Sequence, residues 1–245
     1  VAADKLTLRC SALPLAFRCP GSVRPSKLAI NDTSGAADLG TAAHEGLANL
    51  VETGRVDWDG IPELARRHDV GETDLRVLIA QGAKLWERVN TSFPDPLAEV
   101  DLAHEDDAWV LTGHADILGR GTAGVHVGDW KGGRLDASHR EQLLGYGALA
   151  LLDDRAALWA SATVLWVRDQ EVEQHSMQRS ELDAWRKRVD TEIVEWSGEY
   201  RPGPHCAHCH RSHECEAANA LMRRDLAIVT DRNLVGHVED GETLA

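Results

Sequence analysis

The hydrophobic residues of this chain change their spacing once, around Pro94 and Pro96, and that change limits what the chain can build. Upstream the spacing is helical. Leu39, Ala43, Leu47, Leu50 and Val51 share one face of a helix expected over 36–53 and ended by Gly54. Leu75, Leu78, Ile79 and Leu85 do the same from Thr73 to about Val89. Downstream the pattern becomes strand-like. Residues 97–103 and 108–112 flank the polar tip Glu105-Asp106-Asp107, 114–118 continue the second strand, and 125–131 follow the turn at 119–124. A capping box at Ser138–Glu141 opens a helix to about Leu152. Strands over 160–167 and 171–177 and a helix from Ser180 to Trp196 complete the series. This order predicts an α/β (α+β) fold with helices packed on a mixed central sheet.

At 245 residues the chain suits one large domain, here expected over 1–223, with a polar tail over 224–245. Its helical part spans about 36–91 and its core about 97–178. The longest apolar run, Ala156–Val167, is broken by Ser161 and Thr163 and is too short to span a bilayer. The first residues lack a basic start followed by a clean apolar stretch, so no secretion signal is read and a cytoplasmic protein is expected. A net charge of −14 argues against a broad basic face for nucleic acid. A phosphate backbone would have to enter a narrow groove or come in with cations.

The stretch "HVGDWKGGR", 126–134, carries the first chemical signal. Alternation along a strand puts Val125, Val127, Asp129 and Lys131 on one side and turns Trp130 away. A hairpin would bring Asp116, at the end of "LTGHAD", near Asp129. Two carboxylates and a nitrogen ligand suit a hard divalent cation such as magnesium or manganese. Lys131 beside them could offset charge on a phosphate. The same residues also fit a plain ion pair at a sheet edge. Gly132 and Gly133 leave room for a bulky backbone, and Arg134 could contact it. Arg24, Lys27, Arg120 and Arg140 are further cations for such a groove. Glu99, at the start of its strand, can reach the same place.

The cysteines carry the second. Cys10 and Cys19 lie near the start, Cys206, Cys209 and Cys215 near the end, and none between. In a chain without an export signal this is metal-ligand placement rather than a disulfide set. The spacing C-x2-C-x5-C plus one upstream thiol makes a four-cysteine site. Zinc and an iron–sulfur cluster both suit it, and His205, His208, His210 and His213 are close by.

Taken in order, His44 in "GTAAHEG", Gly113-His114-Ala115-Asp116, Asp129-Trp130-Lys131 and Gln142 through Tyr146 form a series H…GxxD…DxK…QxxxY. This series resembles the RecB-like branch of the PD-(D/E)xK nuclease superfamily. With the cysteines it resembles the iron–sulfur exonucleases of that branch, such as CRISPR-associated exonucleases of the Cas-four type and the AddB nuclease domain. The resemblance covers about residues 19–215. It implies a restriction-endonuclease-like core whose chain ends are joined by a [4Fe-4S] cluster on Cys19, Cys206, Cys209 and Cys215, with Cys10 as a possible substitute. It further implies Mg2+ or Mn2+ on His44, Asp116, Asp129 and the Trp130 carbonyl, with Lys131 assisting water attack on a phosphodiester. Gln142, Tyr146 and Arg134 would lie against DNA. The implied activity is exonucleolytic, on single-stranded DNA with 5′-to-3′ preference. A non-hydrolytic module for DNA ends or a protein partner, and a zinc-stapled interaction protein, are the competing expectations.

Overall fold

The computed structural model describes residues 5–24, 35–133 and 139–224, and not the side chains of 35–37 and 208. In chain order the elements are β1 (Leu6–Arg9), α1 (Leu13–Arg18), α2 (Gly35–Thr53), α3 (Ile61–Arg67), α4 (Glu72–Val89), β2 (Leu97–Glu105), β3 (Trp109–Arg120), β4 (Gly124–Lys131), α5 (Arg140–Asp153), β5 (Trp159–Trp166), β6 (Glu171–Gln178) and α6 (Leu182–Val189). The mixed six-stranded sheet runs β1-β3-β4-β5-β6, with β2 on the other side of β3. This is the helix-flanked mixed sheet expected of a restriction-endonuclease-like core.

The sheet separates two hydrophobic clusters. Leu13 of α1, Leu143 and Leu149 of α5 and Trp185 of α6 pack with Val125, Val127 and Val164 on one face. Leu47 of α2, Leu64 of α3 and Leu78 and Trp86 of α4 pack with Ile117, Trp130 and Leu165 on the other. Burying large apolar side chains in both layers, at roughly 1.5–3 kcal/mol each, holds the layers together. Trp130 is fully buried against Trp86, their rings 6.2 Å apart, so strand alternation turns it away from Asp129 as the sequence predicts.

Two features of β3 create an opening. Its first part pairs with β1 in parallel, ending at Arg9↔Thr112, and its last part pairs with β4 from Ile117↔Gly128. Because β2 follows the opposite edge throughout, β1 and β4 meet the same edge of β3, and Gly113–Asp116 lie in the fork between them. The side-chain phase also shifts there. Val100, Leu102 and Ala115 face the first cluster, whereas Ala98 and Ile117 face the second. The shift falls at Glu99 and Asp116, and Glu99 takes a left-handed φ of 53°. A non-glycine residue in that region is strained, and such strain concentrates at functional sites.

Some elements differ from the sequence expectation. The helix expected from Ser180 to Trp196 gives way to a π-helical turn, Asp190–Val194. It starts where the Asp190 carboxylate accepts a hydrogen bond from the buried Trp109 indole at 2.7 Å. Helix α5 starts at Arg140 with His139 at its cap position and no side-chain cap; Ser138 lies outside the described residues. Among the described residues no helix is long and apolar enough to cross a membrane.

Gly113 sets how closely α5 can approach the fork. A Cβ there would lie 2.7 Å from the Tyr146 ring and 3.1 Å from Cys10 Sγ. Gly113→Ala is expected to cost about 1–3 kcal/mol of stability through overpacking, read as a lowered urea midpoint.

Candidate functional site

Asp116 stands in the fork and is almost fully buried. Its Oδ2 accepts the backbone N–H of Trp130 at 2.6 Å, a donor left over where β4 parts from β3. Its Oδ1 lies 3.2 Å from His44 Nδ1. Helix α2 brings His44 there through the packing of Ala43, Leu47 and Leu50, with His44 on the flank of that apolar face, one turn from Leu47. Burial pulls the His44 pKa down, but the hydrogen bond and charge of Asp116, with Asp129 behind it, outweigh that and the net shift is upward.

Asp129, 5% exposed, is held from α5. Gln142 Nε2 donates to its Oδ1 at 3.2 Å and the Tyr146 hydroxyl lies 3.5 Å from the same oxygen. Tyr146 O–H also donates to the His114 carbonyl at 2.7 Å. The Lys131 ammonium, on the same strand face, is 2.7 Å from Asp129 Oδ2. Oδ2 is buried, and this ion pair is its charge partner among the described residues. Burial pushes the Asp129 carboxyl up from its ordinary range, against the pull of Lys131. The Lys131 backbone is fixed by Val167 N–H on its carbonyl, and Arg168 Nε donates to the next carbonyl, Gly132.

Ligand atoms of His44, Glu99 and Asp116 lie within 4.8 Å of one another. A nitrogen and carboxylate oxygens, with the buried Asp129 carboxylate behind them, fit a hard divalent cation. A cavity of about 630 Å³ opens onto this group, lined by Gly40, Thr41, His44, Glu45, Ala48, Glu99 and His114. The chemistry this arrangement can support is metal-assisted attack by water, with an ammonium held beside the metal ligands.

The structure thus gathers His44, Asp116, Asp129, Lys131, Gln142 and Tyr146 around one fork. Where the resemblance places Gln142 and Tyr146 against DNA, both are 3% exposed and turned onto Asp129. Arg134 and Lys27 lie outside the described residues. Arg24 Nε donates to the Ser197 carbonyl at 2.9 Å. Arg120 pairs with Asp153 at 2.7 Å. Arg140 pairs with Glu141 at 3.2 Å.

His114, read only as a spacer within GxxD, is the residue that sequence reasoning missed. Its ring nitrogens lie 2.7 Å from Asp101 Oδ1 and 2.5 Å from Glu99 Oε2. The hydrogen bond to Asp101, then that to Glu99, raise its pKa from 6.5 to about 9. The stability gained from this pairing is complete below pH 6.5 and is lost as pH rises through 9. In metal-free protein the urea midpoint should therefore fall between pH 6.5 and 9.5, and His114→Gln should flatten that fall.

At the chain ends, Cys19, Cys206, Cys209 and Cys215 line one enclosed pocket with Tyr200, His205 and Arg211. Burial raises the Cys209 thiol, and the three other thiols add to it, as four sulfurs around one space must. Cys10 is elsewhere, buried in the core beneath Gly113 and Gly145. None of the five is in a disulfide. His205 Nε2–H donates to the Arg201 carbonyl at 2.9 Å, leaving the four thiols as the soft donors of the pocket. Such a set fits zinc or an iron–sulfur cluster. The neighbouring backbone also ties the ends together, through Gly21 N–H on the Glu199 carbonyl at 2.8 Å and Arg201 N–H on Cys19 Sγ at 3.3 Å.

No curated protein matches the chain. One solved structure it is similar to, titled "Crystal structure of SSO0001", shares 14% identity over 89% of each chain with a TM-score of 0.43. Residues 8–239 match the family model described as "Protein of unknown function (DUF2800)". The chain belongs to the DUF2800 family.

Proposed function

We propose that this protein is a metal-dependent deoxyribonuclease of RecB-like type that hydrolyses phosphodiester bonds, with a structural [4Fe-4S] cluster joining its ends. The observation that carries the reading is the convergence of His44, Asp116, Asp129 and Lys131 on one strand fork beside an open cavity. The ordered motifs of the sequence support it, as does the four-thiol pocket.

His44, Asp116, Asp129 and the Trp130 carbonyl would hold Mg2+ or Mn2+. Bound there, the cation supplies a water of lowered pKa and positive charge against the phosphate oxygens. Gln142 and Tyr146 keep the Asp129 carboxylate turned to the site. Lys131, ion-paired to Asp129, is placed to orient the attacking water and to offset charge gathering on the phosphate. The expected substrate is single-stranded DNA, degraded from an end with 5′-to-3′ preference, in the cytoplasm. The net charge of −14 favours a narrow site charged by its own cation over an open binding face.

Lys131→Ala separates chemistry from binding. Cleavage of end-labelled single-stranded DNA in Mn2+ should fall by about 10²–10³-fold while DNA affinity changes little. Equal cleavage by parent and variant would remove Lys131 from the mechanism. DNA binding without cleavage by the parent would identify a non-hydrolytic DNA-end module.

A further inference from the structure

Resting on the reading that a divalent cation sits at Asp116, we propose that Glu99 is a further ligand of that cation and that His114, backed by Asp101, is its positioning residue. The motif series supplies His44, Asp116 and Asp129; it contains no residue of β2. The structure nonetheless places a Glu99 oxygen within 4.8 Å of ligand atoms of both His44 and Asp116. Glu99 belongs to the cavity wall with His44 and His114.

Three observations on different groups lead to this assignment. The first is the register: Ala98 pairs with Ile117 and Val100 with Ala115, so Glu99 stands across from Asp116. The second is the Asp129 carboxylate, buried one residue before the Trp130 N–H that binds Asp116 and ion-paired through Oδ2 to Lys131. Two carboxylates and an imidazole with ligand atoms within 4.8 Å of one another, and the buried Asp129 carboxylate in the same fork, suit a hard cation. The third is the support behind Glu99. His114 Nε2–H donates to Glu99 Oε2 at 2.5 Å, and His114 Nδ1–H donates to Asp101 Oδ1 at 2.7 Å. With Oε2 so engaged, Oε1 has no hydrogen bond among the described residues and can turn to a cation. Chains of this kind, carboxylate to imidazole to ligand, orient metal-binding groups, and their loss costs about 10–100-fold in metal affinity. The strained φ at Glu99 belongs to the same arrangement.

The test is Mn2+ binding by titration calorimetry on full-length protein without DNA, with circular dichroism as a check on folding. Glu99→Gln should weaken Mn2+ binding by at least about 10-fold, and Glu99→Asp, which keeps the charge but shortens the reach, should weaken it as well. His114→Ala should weaken it by about 10-fold, with His114→Gln, which keeps an N–H donor, recovering most of the loss. Parental Mn2+ affinity in both Glu99 variants, with Asp116→Asn defective, would overturn the assignment while leaving the nuclease reading intact. Weakened binding in the Glu99 variants of a protein that cleaves no DNA would uphold the site and sink the nuclease reading.

Discussion

Asp129→Asn is expected to abolish DNA cleavage, by at least about 10³-fold, without unfolding the protein. The two halves of that result have one cause. Asp129 is 5% exposed, and burial pushes its carboxyl up, so holding the charged form there costs stability. Asparagine keeps the shape and the oxygen that Gln142 and Tyr146 address, and removes the charge. The variant should melt within a few degrees of the parent, or above it. What it loses is the carboxylate oxygen that meets the Lys131 ammonium at 2.7 Å, and with it the counter-charge that holds that ammonium. Single-turnover cleavage of end-labelled DNA, run beside a thermal melt, reads both. Parental cleavage by Asp129→Asn would show that this carboxylate is not a metal ligand.

Cys209→Ser should have the second large effect, on the other end of the molecule. Anaerobically purified parent is expected to be brown, with iron and sulfide bound, and the variant colourless. Cys19 and Cys206 lie 187 residues apart, and closing such a loop costs about 5 kcal/mol of chain entropy. Removing the staple should therefore release the segment beyond Tyr200, seen as faster proteolysis within 201–224, while the sheet and its two cores persist. Gly21 N–H on the Glu199 carbonyl and Arg24 on Ser197 should hold the chain up to that point. Zinc in place of iron in the parent would correct the metal and keep the staple. Unchanged metal content and protease resistance in the variant would remove the staple altogether.

How far this structure is legible in the sequence depends on how local each signal is. Helices α2 and α4 follow directly from their apolar spacing, and β2 to β6 from alternation and turns, because these patterns are written within a few residues. Strand β1 carries no such pattern. It is four residues long, only Leu8 is buried, and its partner in β3 is about a hundred residues away. The fork that holds Asp116 depends on that strand, so the shape of the site was not readable even though its residues were. Helix α3 is short but did carry a signal, Pro62 at its start.

Between Cys10 and Cys19, the family resemblance favoured Cys19 and kept Cys10 as a substitute, since no spacing rule separates two cysteines nine residues apart. Packing decides it: Cys10 fills the space left by Gly113 and Gly145, and Cys19 faces the other three thiols. Gln142 and Tyr146 were legible as a pair on one face of α5. Their direction was not, because α5 is buried nearly all round and its pattern does not say which face meets β4. His114 gave only one hint, a histidine across from Asp101 in a strand pair.

The central claim, that the fork at Asp116 hydrolyses phosphodiester bonds, is tested most directly by incubating anaerobically purified protein with end-labelled single-stranded DNA, with Mn2+ or with EDTA. The account predicts progressive shortening of the DNA in Mn2+ alone, with the label released first when it is on the 5′ end. Intact single- and double-stranded DNA after incubation with a folded, Mn2+-binding protein would contradict it.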